Sequence, residues 1–370
     1  MKIAILGTRG IPNNYGGFEQ CAEYLSVGLV ERGHEVTIYN PEFHPYKDNE
    51  YKGVKIIYQP SPQYYLGASA ANFIYDFYCL KHAVNTDVDI ILELGLITSS
   101  LSIILCNRKG KIIVTNLDGL EWKRSKWNWA IQKVTKMLER YGLIFSDYII
   151  SDNIGIQEYI KNEYNKESYF IPYGASKTHF LDPNVLIEYN LKPYKYLLSV
   201  ARIEPENNLE IMIEGYLKSK SDLPYIIVGN HLTPYADYLK DKYRNKGIFF
   251  IGGIFNKDHL DILRHFSKFY IHGHSVGGTN PALLEAMAAQ AFIFAHNNKF
   301  NYSVINENAK YFSNEFDLSK LINQKHYNRK KLTDNNLKKI QDVYNWDYII
   351  SRYEKYFHEI IKKNYVNNKS

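Results

Sequence analysis

The chain has 370 residues, of which 45% are hydrophobic and 23% charged, with a net charge of +6 and a pI of about 8.8. That composition excludes a disordered or fibrous protein, and the length exceeds what one hydrophobic core serves, so two domains fit at roughly 150 residues each. Mild basicity suits phosphate ligands or anionic lipid surfaces without being a nucleic-acid signature, and three scattered cysteines (Cys21, Cys79, Cys106) make neither a disulfide framework nor a zinc site, pointing to a reducing cytoplasm.

The opening "MKIAILGTRG" reads as a first strand over 2–6, since its apolar run is far too short for a signal peptide. Further β-branched runs follow at 35–39, 54–58, 89–92, 112–116 and 147–150, each separated from the next by a helical segment. The apolar window 89–106 is interrupted by Glu93 and Gly95, which predicts a strand and then a helix rather than a membrane span. "SYFIPYGASKTHFLDPN" (168–184) has no helical period and carries Pro172, Gly174 and Pro183, so the interdomain connection falls there, with a hinge near 172–193. A second series of strands is expected at 196–200, 225–229, 248–251, 269–272 and 292–295. Strands spaced by helices predict two doubly wound parallel α/β halves, 1–172 and 173–344. An amphipathic helix over 345–364 should pack back toward the first half, ahead of a frayed "YVNNKS" tail.

The most informative stretch is "HGHSVGGTNPALLEAMAAQ" (272–290). Asn280 is a favoured N-cap and Pro281 a favoured first helical residue, ahead of strong helix formers. Free N–H groups and the positive end of the helix dipole make an anion seat there, and Gly277 and Gly278 let a phosphate approach the backbone beside Thr279. Glu285, one turn in, leans toward the helix start, where its carboxylate can accept from sugar hydroxyls; the alternative is a solvated surface acid. Arg202, just after an apolar strand in "LLSVARIEPENNLE", can grip two phosphate oxygens or can be an ordinary surface arginine.

In the first half, Gly7-Thr8-Arg9-Gly10 lacks the Gly-x-Gly-x-x-Gly spacing, and the second strand ends in Asn40 instead of an acid, which argues against a dinucleotide cofactor. "VTNLDGLEWKRSKWNW" (114–129) places Asp118, Glu121, Lys123 and Arg124 at a strand's C-terminal end, where α/β sheets bind ligands. Lys123, Arg124, Lys126, Lys133, Lys136 and Arg140 alternate with Trp122, Trp127 and Trp129 along an expected helix. That pattern is either a membrane-docking face or a solvated basic face with tryptophans in the core. Asp87-Val88-Asp89 has metal-pair spacing, but Asp89 opens a buried strand; His34, His272 and His274 read as structural, with His274 near the cleft, and no metal is assigned.

"SVARIEPENNLE", "IIVGN", "FFIGGI", "HGHSVGGTNPALLEAMA" and "NWDYIISRYEKYF" occur in the order typical of the C-terminal domain of family-4 glycosyltransferases. "GTRGIPNNYGGFEQCAEYLSVGLVERGHEVTIY" and "VTNLDGLEWKRSKW" resemble a bacterial branch that includes retaining β-1,4-rhamnosyltransferases. The resemblance spans nearly the whole chain and implies the GT-B fold, two Rossmann-like domains facing across a cleft. It implies a nucleoside-diphosphate sugar held by Arg202, Asn207, Gly253, Gly277, Gly278, Thr279, Asn280 and Glu285. Gly16 and Gly17 face that donor, Glu19 stands beside them on the acceptor side with Glu121, Lys123 and Arg124, and Asp118, Glu285 and Arg202 are the catalytic candidates. Asp118 remains open between catalysis and loop capping. Two departures stand out: the usual first glutamate is Gly277, and the lysine five residues after the arginine is Asn207.

The resulting expectation is a cytoplasmic hexosyltransferase, peripheral at the inner face of the plasma membrane, that needs no cofactor and no metal. It would move a sugar, rhamnose by the resemblance, with retention onto a lipid-linked or glycan acceptor in cell-surface polysaccharide synthesis, docking through residues 122–140 and binding no nucleic acid. The alternatives are a nucleotide-sugar epimerase of the same fold and a non-catalytic nucleotide-sugar-binding subunit.

Overall fold

A computed structural model describes residues 1–367 except 15, 125, 126, 179 and 180, with the side chains of 68 and 367 also outside the description. The chain divides into two compact units, Met1–Trp122 with Trp129–Tyr173 and Trp346–Ser370, and Gly174–Asn345 with Lys123–Asn128.

The first unit is built on β1 (Lys2–Leu6), β2 (Glu35–Pro41), β3 (Glu50–Tyr51), β4 (Val54–Gln59), β5 (Ile90–Glu93), β6 (Ile112–Leu117), β7 (Tyr148–Ser151) and β8 (Tyr169–Phe170). They form one sheet in the order β3-β4-β2-β1-β5-β6-β7-β8, parallel apart from the β3–β4 pair. Register is set by apolar runs such as Ile3–Leu6, buried on both faces because parallel strands lie between two helical layers. Among the covering helices are α1 (Gly17–Glu31), α2 (Gln63–Ala83), α3 (Leu96–Leu105) and α4 (Trp129–Phe145). On α1, Ala22, Leu25 and Leu29 recur at helical spacing and enter the same core as Ile3, Ile5 and Ile38.

The C-terminal helix runs Trp346–Asn367, so the chain stays helical beyond 364 and through residues expected to fray. Its Ile349, Tyr353, Phe357 and Ile360 complete the first unit's core. Arg32 donates to Glu354 Oε2 at 3.0 Å and His34 Nε2 lies 2.9 Å from Oε1, tying the α1–β2 turn to this helix.

The second unit carries β9 (Leu197–Val200), β10 (Tyr225–Val228), β11 (Ile248–Phe250), β12 (Phe269–His272), β13 (Ile293–His296) and β14 (Lys310–Phe312). All pair in parallel in the order β11-β10-β9-β12-β13-β14, over a core that includes Leu197, Ile213, Ile227, Phe269 and Phe294. Every strand predicted from the sequence is present within two residues of its expected bounds; β3, β8 and β14 are additional and short. The three cysteines are free thiols, Cys21 and Cys79 buried.

In open α/β sheets the crevice forms where strand order reverses, between β1 and β5 in the first unit and between β9 and β12 in the second. At the first of these points Glu93 is fully buried, and a Cβ at Gly7 (φ 78°) would stand 2.1 Å from its Oε1. Burial raises the pKa of Glu93 far above the carboxylate range, with nearby Asp76 adding to the rise, and burial lifts Asp76 itself to about 7. Because the folded state holds both protons more tightly than the unfolded chain, each contribution is full below the ordinary carboxylate pKa and declines as pH rises, that of Asp76 through about 7. Asp76→Asn should therefore flatten the fall of melting temperature between acidic pH and pH 8, as read by thermal denaturation across pH.

Candidate functional site

The second unit's reversal point is occupied by the two loops singled out in the sequence. The Pro281–Ala288 helix starts where predicted, with Asn280 as N-cap accepting from Ala282 N–H at 2.9 Å. Gly277 has φ 132°, a conformation that L side chains rarely adopt, and Gly277, Gly278 and Thr279 are all buried. That backbone explains why a glutamate is absent at 277: a side chain there would strain the loop. Gly277→Ala should destabilise the unit by about 1–3 kcal/mol, measurable by thermal denaturation.

The loop after β9 is bound tightly to the loop after β12. Asn208 donates to Gly273 O at 2.7 Å, and Ser275 donates to Glu206 O from both its N–H (3.2 Å) and its hydroxyl (2.9 Å). A Cβ at Gly273 would lie 2.1 Å from Asn207 O, so only glycine allows this approach. From the loop after β13, Asn298 and Asn301 donate to His274 O at 3.0 and 2.9 Å.

Arg202 projects from this base with its side chain 60% exposed and Nε 3.7 Å from Glu204, which also stands 3.9 Å from Arg124. One expectation needs correction. Asn207, expected against the donor, is buried; it donates to Arg202 O at 2.7 Å and its Oδ1 lies 2.9 Å from His274 Nδ1, so its polar atoms hold the loop. Glu285, the residue expected to reach sugar hydroxyls, accepts from Arg264 Nη2 at 2.6 Å through Oε2, with 19% of its side chain exposed. Arg264 is itself 1% exposed and also meets Asp261 at 3.2 Å. Glu285 therefore presents an anchored carboxylate, oriented from below by a buried cation. Gly253 is exposed and follows edge strand β11, two strands from β9.

His272 and His274 are uncharged: burial lowers them to about 3 and about 4, with His274 adding to the first shift and Arg202 and Arg124 to the second. His272 is buried with no hydrogen bond at Nε2.

In the first unit the 7–12 loop leaves β1 at the reversal point. Buried Asn40 accepts from Ile11 N–H at 3.0 Å and donates to Ile11 O at 2.8 Å, so the residue that argued against a dinucleotide acid acts as a clamp. Gly16 caps α1, and Gly17 is its first residue. Glu19 is not an open acceptor-side acid: it is buried and accepts from Arg9 N–H at 3.0 Å, burial raising its pKa against that bond. Asp118 follows β6 directly and receives Tyr173 Oη–H at 3.3 Å. Glu121 and Lys123 lie on a 3-10 turn, not on the helix expected to run from Trp122; Arg124 follows it, Lys126 is outside the described residues, and α4 begins only at Trp129.

Among the described residues one group has metal-ligand spacing, His34, Glu354 and His358, and Arg32 already occupies Glu354 Oε2. Asp87 and Asp89 are both engaged by Lys2, through its ammonium and its N–H respectively.

Residues 187–334 match the family model "Glycosyl transferases group 1". The match falls within the second unit. Arg202, Gly277–Asn280 and Glu285 all lie inside that matched segment, whereas residues 1–176 match a domain of unknown function, DUF1972. Among solved structures, a sucrose-phosphate synthase from Thermosynechococcus elongatus superposes with a TM-score of 0.77 at 15% identity, over 98% of this chain and 99% of that one. Anabaena HepE in complex with UDP gives 0.72 at 14% identity, over 97% and 100%. The two Rossmann-like units are thus those of the GT-B fold. An uncharacterized 42.6 kDa protein in the cps region of Klebsiella pneumoniae is 40% identical over 70 residues, a match covering 19% of either chain.

The sequence reading missed Arg264, Asp261 and the asparagines that bind the loops together. Asp261 and Arg264 stand three apart in "KDHLDILRH", which reads as an exposed helix with i,i+3 charges until tertiary packing buries both.

Proposed function

We propose that the protein is a glycosyltransferase that moves a hexose or deoxyhexose from a nucleoside diphosphate to a glycan or lipid-linked acceptor. The observation that carries this reading is the anion seat at Gly277–Pro281, joined to the Arg202 loop at the strand reversal of a group 1 domain. Anabaena HepE has been solved with UDP and with UDP-glucose, which supports a nucleotide-sugar donor here.

In this reading the Gly277–Asn280 loop, at the positive end of the helix dipole, and Arg202 hold the departing diphosphate, and Glu285 receives a donor hydroxyl; the first helix amides themselves are engaged by Asn280. The bond from C1 to phosphate breaks, the acceptor oxygen bonds to C1 on the same face, and the acceptor proton leaves with the diphosphate. Asp118, with Glu121, Lys123 and Arg124, orients the acceptor. Rhamnose as the sugar, family-4 membership, retention, a metal-free reaction and a cytoplasmic, membrane-peripheral setting rest on the sequence resemblance. The matching segment in a cps-region protein supports a role in surface polysaccharide.

The test is a thermal-shift panel of nucleoside diphosphates and their sugars, since a ligand that binds only the folded form raises the melting temperature. Wild type should shift and Arg202→Ala should not; no shift with any of them refutes the reading. The commitment of Asn207 inside the protein and the missing carboxylate at Gly277 favour, as a second reading, a binding subunit, while the epimerase alternative rests on the two-domain fold alone. Conversion of donor without acceptor identifies the epimerase, and donor binding without any turnover identifies the binding subunit.

A further inference from the structure

We propose that the solvent face of α3 and α4 is a docking surface for an anionic phospholipid bilayer. The proposal deepens the reading above by naming how the protein meets a lipid-linked acceptor, and rests on that reading only for its purpose.

The 17-residue helix α4 is apolar on two sides. One side, with Leu138, Gly142 and Leu143, faces the core. On the other, Val134, Met137, Tyr141 and Ile144 follow at spacings of three, four and three, and are 51%, 49%, 41% and 43% exposed. A helix on the surface of a water-facing domain normally carries polar residues on that outer stripe. The exposed cations Lys133 and Arg140 line one edge of the stripe, and Trp129, 71% exposed, opens the helix with the Lys133 ammonium 4.9 Å from its ring centroid. Trp129 is therefore not a core tryptophan.

The neighbouring helix extends the patch. The sequence of α3, "LITSSLSIIL", contains no charge, and Leu101, Ile104 and Leu105 are exposed. The two helices pack closely because Gly142 has no side chain: a Cβ there would sit 2.3 Å from Leu96 and 2.6 Å from the Ser100 hydroxyl. The sole acid on either helix, Glu139, is buried and accepts from Tyr159 and Tyr164 at 2.6 and 2.7 Å. The exposed face of this pair is accordingly apolar and cationic with no acid.

Those features select the occupant. An apolar helix face edged by lysine and arginine, with aromatic residues among the contacts, matches the interface of an anionic bilayer, where the stripe enters the acyl boundary and the cations meet lipid phosphates. At about 1.5 Å per residue α4 is roughly 25 Å long, and it would lie in the interface plane. No helix of the described residues is long and apolar enough to cross a membrane. α4 belongs to the same compact unit as Asp118 and Glu121, the proposed acceptor-side acids.

The experiment is co-sedimentation of the full chain with vesicles of phosphatidylcholine alone and of phosphatidylcholine with 30 mol% phosphatidylglycerol, without donor or acceptor. Wild type should bind the anionic vesicles, less so at high salt, with a blue shift of tryptophan emission that Trp129→Phe diminishes. Lys133→Gln/Arg140→Gln should weaken binding roughly 30-fold, at about a factor of five per charge near the surface. Val134→Ser/Met137→Ser/Ile144→Ser should abolish it while keeping the nucleotide thermal shift, which shows that the variant folds. No binding by wild type, binding unchanged in both variants, or a wild-type dimer that only the serine variant dissociates would overturn the proposal. The thermal shift is read separately, so loss of the glycosyltransferase reading and loss of the docking surface are distinct results.

Discussion

Replacing Arg264 with alanine should destabilise the second unit by about 3–5 kcal/mol, because it removes the buried cation that Asp261 and Glu285 share. Arg264 is 1% exposed, and its guanidinium spans both carboxylates at once. Asp261 retains Lys257 and the Thr178 hydroxyl, but Glu285 loses its 2.6 Å partner. For a unit of this size the melting temperature should fall by on the order of 10 °C. Arg264→Lys should recover little of the loss, since a single ammonium on a shorter reach cannot bridge two acids as a planar fork does. Scanning calorimetry of the two variants checks both statements, and a melting temperature for Arg264→Ala within a degree or two of wild type would contradict the ion network described.

Glu285→Ala should lose both donor recognition and some stability, and the two losses are separable. A charged acceptor to a sugar hydroxyl contributes about 1.5–3 kcal/mol, so donor affinity should fall roughly 10- to 150-fold. Glu285→Gln keeps the shape of the side chain and a weakened contact to Arg264, so it should melt near wild type and still bind donor poorly. If Glu285→Gln and wild type bind a nucleoside-diphosphate sugar equally by calorimetry, the carboxylate serves Arg264 alone and the donor contact is wrong.

The strands were legible because burial on both sides of a parallel sheet demands runs such as Ile3–Leu6 and the "YIIV" of Tyr225–Val228, which water-facing segments do not tolerate. The start of the Pro281 helix was legible for a local reason: a cap and a proline act within four residues of themselves. What stayed hidden depends on distant partners. Glu285 was placed correctly on its helix, yet the arginine that holds it comes from 21 residues upstream on another element. Asn207 read as a ligand position because its neighbourhood is a ligand loop, while its two bonds go to a carbonyl five residues back and a histidine 67 residues on. Glu19 likewise reads as an acceptor-side acid until Arg9 N–H, ten residues back, is seen to hold its carboxylate. β14, "KYF", is too short and polar to announce itself and is recruited by pairing with β13.

The asparagine bonds among the loops that follow β9, β12 and β13 bear on how tightly a small ligand can be captured. Walls already fixed by Asn208, Asn298 and Asn301 do not surrender further conformational freedom when an anion arrives, so the free energy of its contacts is retained as affinity instead of being consumed in ordering the protein.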